Sequence, residues 1–214
     1  MNMKKIKNLG VYLLGLFILA IGVIFSINAD LGISPVNATP YVFSLTLGIS
    51  VGNGVILFFL ALIALQWIML RKEFKLSSLL QIVVSFVFGF FVDAANFLIG
   101  DFAFFPEFYA GQLLTLAVSI ILIALGLVLY VETKIVPMPS EGVLLALLKK
   151  FPKFSLGTMK IIFDIGVVII AIIFSLIFLS GIYGIREGTI VTAFLIGKMM
   201  AIISRLLRKR KQTK

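Results

Sequence analysis

The sequence predicts an all-α polytopic membrane protein, with six transmembrane helices in two inverted three-helix repeats and a short half-helix in each repeat. Three observations predict it. Of the 214 residues 61% are hydrophobic and 13% charged, about half the charged share of a soluble domain. Six apolar runs are long enough to span a bilayer, for which about 20 residues suffice. The order of elements in the first half returns in the second, shifted by 104 residues. The mean hydropathy of +1.19 agrees, and the chain reads as one membrane domain over residues 1–214.

At a 19-residue scale the spans fall at about 9–29, 50–70, 76–99, 110–131, 155–179 and 187–204. The first follows MNMKKIK and resembles a signal peptide. Gly10 to Ala29 is long enough to span, and no small-residue cleavage site follows it, so a retained first helix is expected.

Between the first two spans lies DLGISPVNATPYVFSLTLGIS, Asp30 to Ser50. Val36 to Leu47 as helix covers about 18 Å, against a hydrocarbon core of about 30 Å, so it does not cross. Proline suits a first helical turn, and Ser34 before Pro35 suits the N-cap. A partner segment, Ser140 to Phe151, follows Pro139 between the fourth and fifth spans. Two readings stay open for the pair. One is amphipathic helices on opposite interfaces, with Lys149 and Lys150 snorkelling. The other is re-entrant half-helices whose N-termini approach the midplane and offer free N–H groups to a solute.

The shift of 104 lays Ala20 over Ala124, Gly22 over Gly126, Pro35 over Pro139 and Asn37 over Glu141. One more residue brings Ser50 and Gly52 onto Ser155 and Gly157, and a few more bring Phe86 and Gly89 onto Phe194 and Gly197. Repeat 1 covers about 8–100 and repeat 2 about 108–208. Three spans per repeat make the second enter the membrane from the opposite side.

Basic residues cluster at Lys4, Lys5 and Lys7, at Arg71, Lys72 and Lys75, at Lys134, Lys149, Lys150 and Lys153, and in the tail 205–214; the other connections hold only Arg186. Six alternating spans put every cluster on one side, the cytoplasm, with both termini. The expected location is the cytoplasmic (inner) membrane of a bacterium, multi-pass. The net charge of +10 thus reports topology. Nucleic acid is not an expected partner, because no folded basic surface is left over; the lipid bilayer and a small-molecule solute are, and a chain of this size suits a homodimer.

Cysteine and histidine are absent, which removes disulfides, Cys/His metal sites and His-based triads. No cofactor and no catalytic residue is expected. An aspartyl dyad would need Asp93 and Asp164, whose depths of roughly 25 Å and 13 Å from the inner face do not match. No GxxxxGK[ST] motif is present, so the chain does not hydrolyse ATP.

The pieces DLGISP, SVG, MPSEG and SLGTMKIIFD resemble the YczE/YyaS/YitT-type family of small bacterial integral membrane proteins, over nearly the whole chain. The most specific are Asp30-Leu31-Gly32-x-Ser34-Pro35 and Pro139-x-Glu141-Gly142. Similar chains carry an aromatic–acid or aromatic–Asn pair after the first proline; this one has Val36-Asn37. The resemblance implies six spans and a permease.

The candidate substrate-binding residues are polar groups within spans or beside the half-helices: Ser34, Asn37, Asn53, Gln81, Ser140, Glu141, Thr158, Lys160 and Asp164. Lys160 and Asp164 share one helical face, and a charge inside a span defaults to function; a neutralising pair is the structural alternative. Capping is the alternative for Asn53 and Thr158, and helix-end charge compensation for Glu141. Asp93 and Asn96 read as a wetted helix end. Gly10, Gly15, Gly22, Gly89, Gly126, Gly166 and Gly197 read as contact points between helices. The leading function is a secondary transporter of a small polar solute, an anion included, with its site between the repeats. The alternatives are the substrate-binding membrane subunit of an energy-coupling importer and a non-transport regulatory membrane protein.

Overall fold

The computed structural model describes residues 3–100 and 108–212; the side chains of Met3, of Lys4 and of the tail from Arg208 onward lie outside the description. Among the described residues there are eight α-helices and no strand: α1 (Met3–Asn28), α2 (Pro35–Leu47), α3 (Val51–Leu70), α4 (Leu80–Ile99), α5 (Tyr109–Thr133), α6 (Pro139–Lys150), α7 (Leu156–Leu179) and α8 (Glu187–Gln212). Six of them are long and apolar enough to cross a membrane, over Lys5–Asn28, Val51–Glu73, Leu76–Ile99, Tyr109–Thr133, Leu156–Leu179 and Glu187–Leu207. These follow the spans expected from hydropathy to within a few residues. The two helices too short to cross, α2 and α6, begin at Pro35 and Pro139, where the fixed φ of proline favours a first turn.

The chain forms two compact units, and their borders cut across the sequence halves. One unit comprises Met1–Ser34, Ala94–Ile135 and Arg186–Lys214, hence α1, α5 and α8. Its centre is the crossing of α1 on α5, made possible by glycine. A Cβ on Gly15 would lie 2.7 Å from Tyr130 N, one on Gly22 2.8 Å from Ile123 N, and one on Gly126 2.6 Å from Leu19 N. Missing side chains let the two backbones touch, the usual device where lipid supplies no hydrophobic drive. Tyr12 and Tyr130 meet edge to face at 6.0 Å beside it. On the other flank Ala29, Leu31, Leu116 and Ile120 form a buried cluster, closed by Ile196 and Met199 of α8. The turn after α1 is tied to the start of α8: Gly188 N donates to Leu31 O at 2.7 Å, and Arg186 Nη1 donates to Asp30 O. Gly32 has φ +102° in this turn, and a Cβ there would lie 2.6 Å from Arg186 N, so Asp30-Leu31-Gly32 has a steric reason.

The other unit comprises Pro35–Asp93 and Val136–Ile185. In it α2 packs on α3 and α7, and α6 packs on α3 and α7. Thr39 Oγ1 of α2 donates to Val167 O near the middle of α7 at 2.8 Å. Ala38, Val42 and Ala171 pack dry beside it, and Phe43 meets Phe174 at 4.9 Å. A Cβ on Gly89 of α4 would lie 2.7 Å from Gly52 O of α3.

The glycine expectation holds at Gly15, Gly22, Gly89 and Gly126. It fails at Gly10, Gly166 and Gly197, where an added Cβ meets no atom within 4 Å. A glycine marks a close crossing only on the face that another helix covers, and hydropathy does not say which face that is.

Candidate functional site

The polar groups of the second unit fall into two sets. The first gathers at the N-terminus of α6. Gln66, one turn before the end of α3, and Gln81, at the start of α4, are each 2% exposed. Gln66 Nε2 donates to Gln81 Oε1 at 2.9 Å and to Pro139 O at 3.2 Å, with a longer contact to Leu62 O at 3.4 Å. Ser85 Oγ, one turn along α4, closes on Gln81 O at 2.7 Å. Gly142 brings α6 against both carboxamides: a Cβ there would collide with Gln66 Oε1 and lie 2.7 Å from Gln81 Nε2. Ser140 and Glu141, half-buried, stand in the same first turn. Proline has no N–H, and Gly142 N donates to Met138 O at 2.9 Å. The first turn of α6, with its hydroxyl and carboxylate, thus stands against two carboxamides from α3 and α4.

The second set is on α7. Lys160 Nζ lies 2.7 Å from Asp164 Oδ2, as the four-residue spacing predicts. Asp164 is 8% exposed, and its Oδ1 is buried without a hydrogen-bond partner among the described residues. Lys160 is half-exposed. Val167, which accepts from Thr39, lies one turn further along the same face.

The remaining predicted residues stand apart. Asn53 and Thr158 are exposed, each in the first turn of its helix, where its backbone N–H donates to a capping serine, Ser50 at 3.2 Å and Ser155 at 3.1 Å. Thr158 Oγ1 also lies 2.9 Å from Ser155 Oγ. The capping side chains are thus the serines, with Asn53 and Thr158 supplying backbone donors. Ser34 is buried in the first unit, and Asn37 is half-buried in the first turn of α2. Asp93, partly exposed toward the end of α4, also has protein partners: Gly52 N donates to its Oδ1 and Ser50 Oγ to its Oδ2, both at 2.7 Å. Asp93 and Asp164 thus have separate partners.

Gln66 was not among the candidates. A signal for it existed, since it is the one carboxamide within the apolar run VILFFLALIALQWIML, and a polar side chain inside a span is costly unless used.

Six helices of crossing length among the described residues define a multi-pass helical membrane protein. Residues 6–205 match the family of unknown function DUF6198, and the chain belongs to that family. It is similar to the uncharacterized protein YyaS of Bacillus subtilis (strain 168), with 25% identity over 198 residues, 92% of each chain. It is also similar to the uncharacterized membrane protein YczE of the same organism, with 28% identity over 140 residues, 65% of this chain and 62% of that one. No solved structure matches it.

Proposed function

We propose that the protein is a secondary carrier of a small polar solute in a bacterial cytoplasmic membrane, built from two inverted repeats of three spans and one re-entrant half-helix. The observation that carries this reading is reciprocal packing. With the offset of 104 to 105 residues, α6 corresponds to α2 and α7 to α3. Each half-helix packs on both long helices, and more extensively on that of the other repeat, α2 on α7 and α6 on α3. Interleaved broken helices with polar groups at their ends are the pattern by which transporters hold a solute near mid-membrane.

Depth supports the re-entrant reading over the interfacial one. Thr39, in the second turn of α2, bonds the middle of α7. Gln66 Nε2 contacts both Leu62 O and Pro139 O, and Leu62 lies about 12 Å by rise from the end of α3. Each N-terminus thus reaches toward the centre of a core about 30 Å thick. At the other end of α6, Lys149 pairs with Glu73 just beyond α3, which suits a half-helix rising to the cytoplasmic surface.

The two half-sites differ. Where α2 meets α7, Ala38 faces Ala171 in a dry cluster; at the corresponding positions Gly142 faces Gln66. The solute site is therefore assigned to the α6 end, with Gln66, Gln81, Ser140 and Glu141.

The test joins topology to transport. Single cysteines replacing Gly48 and Lys153 are expected to react with an impermeant maleimide from opposite sides of the membrane. A thermal-shift screen of metabolites on the purified protein then supplies solutes for counterflow in proteoliposomes. Labelling of both positions from one side would overturn the inverted arrangement, and an absence of counterflow with every stabilising metabolite would overturn the carrier.

A further inference from the structure

In the first unit α5 and α8 touch at one end and part at the other. Near the start of α8 a Cβ on Gly188 would lie 3.1 Å from Leu116 Cδ2 of α5, and Ile196 and Met199 close the cluster around Leu116 and Ile120. Beyond Met199 the two helices line an open groove of about 530 Å³, within the range of about 300–1,000 Å³ usual for small-molecule sites. The groove is graded. Its deep part is apolar, with Val128 and Val131 on α5 and Met200 and Ala201 on α8. Its mouth is polar, with Glu132, Lys134 and Ser204.

Depth and charge say what such a gradient suits. Val128 lies about 8 Å by rise from the end of α5, and Ala201 about 9 Å from Leu207, where the crossing stretch of α8 stops. The groove thus runs from the polar boundary into the hydrocarbon, on the side expected to be cytoplasmic. Lys134 is exposed at the end of α5, as is Arg205 next to Ser204, and Arg208, Lys209, Arg210 and Lys211 follow in the sequence. The one acid of the lining, Glu132, has an interaction of its own.

We propose that the groove between α5 and α8 holds an anionic phospholipid of the cytoplasmic leaflet. An acyl chain lies along Val128, Val131, Met200 and Ala201, and the phosphate meets Lys134 and Arg205. A zwitterionic lipid offers the same chain without net charge, and basic groups at the membrane surface favour anionic headgroups. A soluble anion would leave the apolar part unfilled. A second copy on a two-fold axis would set this basic mouth against itself, like charge on like. The carrier reading is not needed for this site.

Native mass spectrometry of the protein in neutral detergent, with phosphatidylglycerol or phosphatidylcholine of the same chains added, reads the bound lipid directly. Phosphatidylglycerol is expected to be retained at least fivefold more strongly. Lys134→Gln should weaken it about fivefold, the effect of one basic group near the surface. Ala201→Phe fills the groove from an exposed position and should remove the adduct, whereas Ile202→Phe, exposed beside it but outside the lining, should keep it. Equal retention of the two lipids would overturn the proposal. So would a phosphatidylglycerol adduct that survives Ala201→Phe, since the diffuse charge of the tail then accounts for it. A two-chain species that Ala201→Phe breaks up would overturn it too, with a second copy covering the groove. The two lipids compared on the unchanged protein decide the matter even if a variant fails to accumulate.

Discussion

The carboxylate of Asp93 closes the N-terminus of α3 from the neighbouring helix: Gly52 N donates to Oδ1 and Ser50 Oγ to Oδ2, both at 2.7 Å. An anion at a helix start satisfies free donors and complements the dipole. Charge-assisted bonds of this length are among the stronger ones. Asp93→Ala is expected to destabilise the protein by about 1–3 kcal/mol, read as a lower midpoint in detergent unfolding. Asp93→Asn keeps one acceptor and should lose less. Equal losses from the two substitutions would mean that charge alone matters.

Two glycines that correspond in the repeats should respond in opposite ways. A Cβ on Gly89 would lie 2.5 Å from Ile56 Cγ1 and 2.7 Å from Gly52 O, whereas one on Gly197 meets nothing within 4 Å. Gly89→Ala forces the α3–α4 crossing apart, at a cost of about 1–3 kcal/mol. Gly197→Ala gains helix propensity with no clash and should leave the melting temperature unchanged or raised. A parallel fall in both would show that Gly197 is covered in the membrane.

This pair marks where the sequence stopped being legible. Long apolar runs and proline-led short helices are local features, and they read correctly: Pro35 opens α2 and Pro139 opens α6. Lys160 and Asp164 were legible too, because their spacing alone brings them together. What could not be read were contacts between helices distant in the chain. The partners of Asp93 were missed because nothing in its own span says that Gly52 N lies opposite. Gln81 was flagged without Gln66, since pairing them needs the register of α3 against α4. The offset between halves set α2 beside α6 in order, but it did not say that each packs on both α3 and α7.

At the turn between α1 and α2, the visible ion pair is expected to matter less than the glycine. Arg186 Nη1 reaches Asp30 Oδ2 at 3.3 Å, with both side chains substantially exposed, and such pairs contribute about 0–1 kcal/mol. Gly32, at φ +102°, sits with Arg186 N and Thr189 Oγ1 each 2.6 Å from where its Cβ would be. Gly32→Ala combines an unfavourable backbone conformation with a backbone clash. Arg186→Ala should shift the unfolding midpoint only slightly, while Gly32→Ala should lower it by about 2 kcal/mol or more, or prevent accumulation in the membrane.

The Lys160–Asp164 pair yields a test of non-additivity. Asp164 is buried with one oxygen on Lys160 Nζ at 2.7 Å and the other without a donor among the described residues. Removing the lysine alone, as Lys160→Met, leaves a buried carboxylate with no partner. Because Lys160 is half-exposed, the loss should fall below that of a fully buried pair, at about 1–3 kcal/mol. Replacing both residues, as Lys160→Met with Asp164→Leu, removes the stranded charge together with its partner. The double variant is expected to recover most of that stability, because apolar replacements of an internal ion pair are often neutral or better. If the stabilising metabolites from the screen still bind the double variant, the pair is a structural neutralisation and the α6 end alone holds the solute. If binding is lost while stability recovers, Asp164 belongs to the solute site as well.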